Sequence, residues 1–217
     1  MTVGANAAET HALERLWWKR ALGVLISPGP VFAALREDSD RAAAALQEPV
    51  LALILLAGVA TVLDTTVTGH LLDDPAVDGL LVAVWAFIGG GFYGTALYWL
   101  GGGMLAIAGD LLGSEGTYRR ARHVLALSLA PLALSLVTVW PLRIAVLGGD
   151  VFRSGGRDSG ATGAVFTWLS LAFAGWALAL LVIGVRAVHG WSWARALATA
   201  ALAAAIPALL VVVLQVV

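Results

Sequence analysis

Residues 49–68 read PVLALILLAGVATVLDTTVT, and this stretch identifies the solvent around the fold. A bilayer core about 30 Å thick is crossed by a helix of roughly 20 apolar residues. Residues 49–68 supply that length with Asp64 as their one charged side chain. Stretches of the same kind follow at about 80–110, 122–146, 164–186 and 194–216. Across all 217 residues, 60% are hydrophobic and 12% charged, with a mean hydropathy of +0.89. A soluble domain is typically about 45–50% apolar and about 25% charged. A water-soluble fold of this length has too little interior to hide the excess. The expected fold class is therefore all-α, a polytopic membrane protein of five transmembrane helices preceded by an N-terminal amphipathic interfacial helix. The expected organisation is a disordered 1–10, a cytoplasmic and interfacial helical segment over 11–48, and a five-helix transmembrane domain over 49–217.

The second span is longer than a bilayer needs. About 30 residues at 1.5 Å each reach roughly 45 Å. It must tilt, protrude, or break at Gly89–Gly91 or Gly101–Gly103. Orientation follows from where Lys and Arg fall. Arg15, Lys19, Arg20, Arg36 and Arg41 precede the first span, and Arg119, Arg120 and Arg122 follow the second. The loop 69–79 has only acidic residues, Asp73, Asp74 and Asp78. This distribution predicts a cytoplasmic N-terminus and, with five spans, an outside C-terminus. The first ten residues lack the charged and apolar regions of a cleavable signal peptide.

Residues 10–26, THALERLWWKRALGVLI, have helical periodicity. Leu13, Trp17, Ala21, Val24 and Leu25 share one side, with Arg15 and Lys19 opposite. Trp17 and Trp18 beside Lys19 and Arg20 form an expected interfacial anchor at headgroup level. Ser27-Pro28-Gly29-Pro30 stops that helix.

Net charge is −1, from 13 Lys and Arg against 14 Asp and Glu, which excludes a strongly basic nucleic-acid binder. There is no Cys, hence no disulfide framework and no thiol nucleophile. Residues 89–94, GGGFYG, match G-x-G-x-x-G, but the dinucleotide fingerprint needs a preceding strand and a solvent-facing helix start. Inside an apolar span the reading is helix packing or a hinge. Gly90, Gly94 and Gly101 form one small-residue stripe and Gly102, Ala106, Gly109 and Gly113 mark another. Pro131 is expected to kink the third span, with Ser128 and Ser135 able to satisfy the freed backbone carbonyl. No metal site is expected, since the four His are far apart and no H-E-x-x-H occurs. No cofactor is implied.

Two groups of polar residues stand out. Asp64 and Arg143 lie at similar depth toward the outer side, and charges within spans pair or face a wet cavity. An Asp64–Arg143 ion pair is expected, either structural or as an ion site. Asp110, Arg119, Arg120, Arg122, His123, Arg186, His189 and Arg195 all map to the cytoplasmic ends of the spans. They are expected to act as ordinary flanking charge, with Asp110 paired to one Arg, or to converge on a pocket for anionic lipid headgroups or a partner. Trp191 and Trp193 are expected interface anchors.

Three segments carry a family likeness. Ser27-Pro28-Gly29-Pro30-Val31-Phe32 with Leu35 resembles a "P…F..L" entry element. Leu112 to Tyr118 followed by Leu125 to Pro131 resembles "G-G-x-G-x-[YF]…L…P". Trp176 to Ala196 resembles the "W…L…G…hG.s…A" stretch joining the last two spans. Together these resemble the Yip family of polytopic membrane proteins, named for interaction with Ypt/Rab GTPases, in its prokaryotic form, over about residues 15–216. The resemblance implies five spans and a cytoplasmic N-terminus. The eukaryotic D/E-L-Y/F-G-P motif is absent, so Rab-type GTPase binding is not carried over.

The resulting expectation is a non-enzymatic scaffold or adaptor in a bacterial cytoplasmic membrane. Its partners are membrane lipids and another membrane or peripheral protein, or a second copy, and not nucleic acid. The alternative is a transporter or channel for an ion or small solute using Asp64 and the Gly-rich second span. A lipid-binding or lipid-processing protein is third.

Overall fold

The computed structural model describes residues 15–37 and 39–216, without the side chains of 159 and 206–216. Among the described residues the chain is helical, with no strand. Residues 15–23 form α1. There follow α2 (Pro28–Ala33), α3 (Asp40–Leu63), α4 (Gly79–Ala96), α5 (Gly102–Leu111), α6 (Tyr118–Ser128), α7 (Ala130–Leu147), α8 (Ala161–His189) and α9 (Trp193–Val216). Four helical runs are long and apolar enough to cross a membrane: Asp40–Leu63, Gly79–Leu111, Tyr118–Phe152 and Ala161–His189. A shorter apolar stretch, Trp193–Ala205, opens α9.

The first span is displaced from the expected 49–68. It starts at Asp40 because the Ala-rich residues 41–46 favour helix and the Ser39 hydroxyl accepts the Ala42 amide at 3.2 Å. It stops at Leu63 because threonine hydroxyls take over the last carbonyls. Thr65 and Thr68 both donate to the Val62 carbonyl, at 2.6 and 2.7 Å. Asp64 therefore sits just past the helix end, not inside the span.

The second span is not broken at either glycine cluster. Gly79–Leu111 is helical throughout, 33 residues. A π-helical turn at Leu97–Gly101 lies between α4 and α5 and absorbs one residue of register. The third span is interrupted instead: α6 ends at Ser128 and α7 begins at Ala130, with Pro131 in its first turn, where a missing N–H costs little. The serine hydroxyls do not take the carbonyl that Pro131 frees, that of Leu127. Ser128 donates to Leu125 and Ser135 to Leu132, each three residues back.

The described residues cluster into two compact units. One comprises those up to Ala52, Leu97–Ser128 and those from Leu178 onward; the other comprises Leu53–Ala96 and Leu129–Ala177. The N-terminal segment thus groups with parts of later helices. In the first unit α5 packs on α6 and α9, and Phe32, Leu46, Leu127 and Leu180 are fully buried. Trp17, Ala21 and Val24 are buried there too. The apolar side of α1 is therefore core, and Trp17, at 3% exposure, is not an interfacial anchor. Its expected outward partners behave differently: Trp18 is 40% exposed and Lys19 is exposed. Residues 10–14 of the expected helix, Leu13 included, lie outside the described residues.

In the second unit the core is Val82, Val139, Trp140, Leu147, Val151, Phe152 and Phe166, with Trp140 and Phe152 stacked at 6.2 Å. Here α4 buries one narrow stripe, whose glycines meet α3 and whose Val82 joins the Trp140 core. Val82, Ala86, Gly90 and Gly94 are its buried residues, spaced four apart. A Cβ on Gly90 would lie 2.6 Å from the Val59 Cα and backbone nitrogen, so only glycine allows this approach. Gly94 meets the Ile54 carbonyl, and Gly58, which the small-residue stripes did not include, meets the Gly90 carbonyl.

Candidate functional site

The second unit holds a half-open cleft of about 590 Å³, within the range of about 300–1,000 Å³ usual for small-molecule sites. Its walls come from the end of α3, from α7, from the turn after α7 and from one face of α8. That face is Thr167, Ser170, Leu171 and Ala174, spaced at helical intervals.

Asp64 and Arg143, singled out in the sequence, meet on the cleft wall. Arg143 Nη1 donates to Asp64 Oδ1 at 3.0 Å, and Ser170 Oγ donates to the same oxygen at 3.3 Å. The arginine side chain is 13% exposed and the aspartate 33%. The guanidinium also lies 4.8 Å from the Trp140 ring centroid, while its Nε has no acceptor among the described residues. Helix geometry explains the meeting. Asp64 leaves the end of α3 and Arg143 sits one turn before the end of α7.

At the cleft mouth His70, Asp73 and Ser154 form a string. Ser154 donates its hydroxyl to Asp73 Oδ2 and its amide to Asp73 Oδ1, the latter at 2.9 Å. His70 Nδ1 touches the same hydroxyl. These three residue types are those of a nucleophilic triad, but the order differs. The serine has one proton and gives it to the carboxylate, so the histidine is the donor to serine and no base faces the nucleophile. The string ties the turn 153–155 to the loop 68–73. It holds the Asp73 carboxyl below its ordinary range, first through the Ser154 hydroxyl and next through the Ser154 amide. Sequence alone missed it because 81 residues separate Asp73 from Ser154.

The first unit contains the other predicted group, and there the charges disperse instead of converging. Arg119 pairs with Asp40 at 2.7 Å. Arg120 donates to the Arg36 carbonyl at 3.1 Å, and Arg195 Nε to the Leu112 carbonyl at 2.9 Å. Arg36 donates to Ala187 at 3.0 Å. These carbonyls belong to helix ends, where cations satisfy orphan acceptors and the dipole. Arg122 lies between Tyr98, Trp99 and Tyr118, at 5.1, 3.9 and 4.6 Å from their centroids. Arg186 lies over Trp193 at 4.6 Å, and His189 stacks on Trp191 at 4.5 Å. His123 is buried. Asp110 forms no ion pair among the described residues, so its expected Arg partner is absent there. The space beside Arg120, Ser114 and His189 is about 20 Å³, enough for one water and not for a lipid headgroup. Gly101, Gly102 and Gly109 also lie in this unit. Gly101 and Gly102 bring the chain against Leu125 and Arg122 of α6, and Gly109 packs on Ser114. Among the described residues no group of His, Asp and Glu is placed to hold a metal ion.

No curated protein and no solved structure matches this chain. A model of the Yip1 domain matches residues 22–215. That match covers the entry element, the α5–α6 stretch and the α8–α9 junction alike, so the apolar helices described above are those of an integral membrane protein, and the chain belongs to the Yip1 domain family.

Proposed function

We propose that this protein is a membrane scaffold that organises other membrane proteins or lipids without catalysis. It crosses a bacterial cytoplasmic membrane five times, with the N-terminus inside and the C-terminus outside. The observation that carries this reading is the outer face of α4. The buried residues of this helix are Val82, Ala86, Gly90 and Gly94, and Trp85 also donates its indole N–H to the Thr68 hydroxyl at 3.2 Å. Trp85, Phe87, Ile88 and Phe92 around the remaining circumference are 44–76% exposed. A face this wide and apolar is available to lipid and to a partner helix, where packing rather than water exclusion drives association. The five-span orientation is supported by charge, since ten of the thirteen Lys and Arg residues fall in the first unit. A photo-crosslinking residue placed at Phe87 or Phe92, in membranes, is expected to give discrete higher-mass protein adducts. The same residue at buried Val82 gives none. Lipid adducts alone from Phe87 and Phe92 would remove the reading that this face organises other membrane proteins.

The cleft favours one second reading, passage of an ion or small solute past Asp64. Proteoliposome flux of wild type against Asp64→Asn tests it, and equal flux in the two removes it.

A further inference from the structure

The charged groups of the cleft divide into those already satisfied and those left open. Asp64 and Arg143 are paired with each other through Arg143 Nη1, with Ser170 adding a third contact, while Arg143 Nε keeps no acceptor. His70 is held by Ser154. Two groups remain. Arg153, exposed, and Asp158, half-buried, both line the cleft. Among the described residues neither side chain has a hydrogen-bond or ion-pair partner. One unused cation and one unused anion on the same cleft are complementary to a ligand bearing both signs. A ligand with a single charge engages only one of them.

Further in, the lining changes. Leu132 lies eleven residues before Arg143 on α7, about 16 Å along the axis at 1.5 Å per residue. Leu171 and Ala174 continue the apolar wall on α8. Charged side chains at one end and an apolar wall toward the other, in a cleft open along one side, suit a headgroup and hydrocarbon respectively.

We propose that this cleft is a binding site for a zwitterionic amphiphile. Its phosphate sits on Arg153, its ammonium on Asp158, and the upper part of its chains on Leu132, Leu171 and Ala174. The site is separate from the α4 face that carries the scaffold reading, and either can stand without the other.

The test is native mass spectrometry of the full chain released from detergent micelles. The lipids offered are phosphatidylethanolamine, phosphatidylglycerol and, as a soluble headgroup, phosphoethanolamine. Phosphatidylethanolamine adducts are expected at several-fold higher occupancy than phosphatidylglycerol adducts. Arg153→Gln and Asp158→Asn each lower that occupancy about tenfold, while Lys19→Gln leaves it unchanged. Ala174→Trp, which crowds the apolar wall, lowers lipid occupancy with the rim charges intact. A thermal melt of each variant confirms that it is folded. Equal occupancy by the two lipids would overturn the zwitterion assignment. Unchanged occupancy in both rim variants would overturn the site. Phosphoethanolamine binding as tightly as the lipid, or an unaffected Ala174→Trp, would overturn the amphiphile.

Discussion

Replacing Gly90 by alanine isolates the α3–α4 seam from every other feature of the fold. An added Cβ would lie 2.6 Å from Val59 Cα and from its backbone nitrogen. Non-bonded carbons prefer about 3.5–4.0 Å, so the helices must separate by roughly 1 Å. A radial gap of that size forfeits about a quarter to a half of each contact along the seam, and overpacking of this kind costs about 1–3 kcal/mol. The intrinsic helix preference of alanine over glycine returns up to about 1 kcal/mol. Gly91 is the matched control. It is next in sequence in the same helix, and its added Cβ meets only the Leu55 side chain at an ordinary 3.8 Å. Gly91→Ala receives the helix preference without the clash. The helix preference cancels between the two variants, which should therefore differ by about 1–3 kcal/mol, with Gly90→Ala the less stable. Reversible unfolding in mixed micelles reads the difference directly. If Gly90→Ala proves as stable as Gly91→Ala, the helices do not meet backbone to backbone at this seam.

Two further outcomes follow from the same reasoning. Trp17→Ala should destabilise the protein by about 3–5 kcal/mol because it empties a buried site, whereas Trp18→Ala, on a side chain 40% exposed, should change thermal stability little. Equal effects would mean that α1 is not docked by Trp17. The Asp73 string makes a pH prediction. Hydrogen bonds from Ser154 hold the Asp73 carboxyl below its ordinary value of about 3.9. A depressed carboxylate contributes stability that is present above the unfolded pKa and is lost as pH falls through the folded one. Protection of the turn 153–155 from proteolysis should therefore persist to a lower pH in wild type than in Ser154→Ala, and identical acid profiles would show that the string does not hold the turn.

Much of the site was legible in part. The Asp64–Arg143 pair follows from the cost of an unpaired charge in hydrocarbon, which is a property of residue type and depth and can be read along one dimension. The Gly90 and Gly94 seam follows from their spacing of four. Gly58 did not stand out because the closeness of two backbones depends on which partner helix arrives opposite it. The eight residues grouped near the helix ends all fall in the first unit, but their use was not readable. An arginine finds a helix-terminal carbonyl or an aromatic face only once a segment distant in sequence has packed beside it, as Arg36 meets Ala187 across 151 residues.

The amino-acid sequence by itself determined the solvent, the helical class and the family, because each rests on composition, run length or ordered motifs along the chain. Tertiary structure decided that Trp17 is interior, that the second span passes its glycines unbroken with a π turn, and that Arg153 and Asp158 remain unsatisfied on a cleft. Burial and satisfaction are relations between surfaces. Local periodicity names the side of a helix but not what covers it, and only the packed helices supply the covering partner.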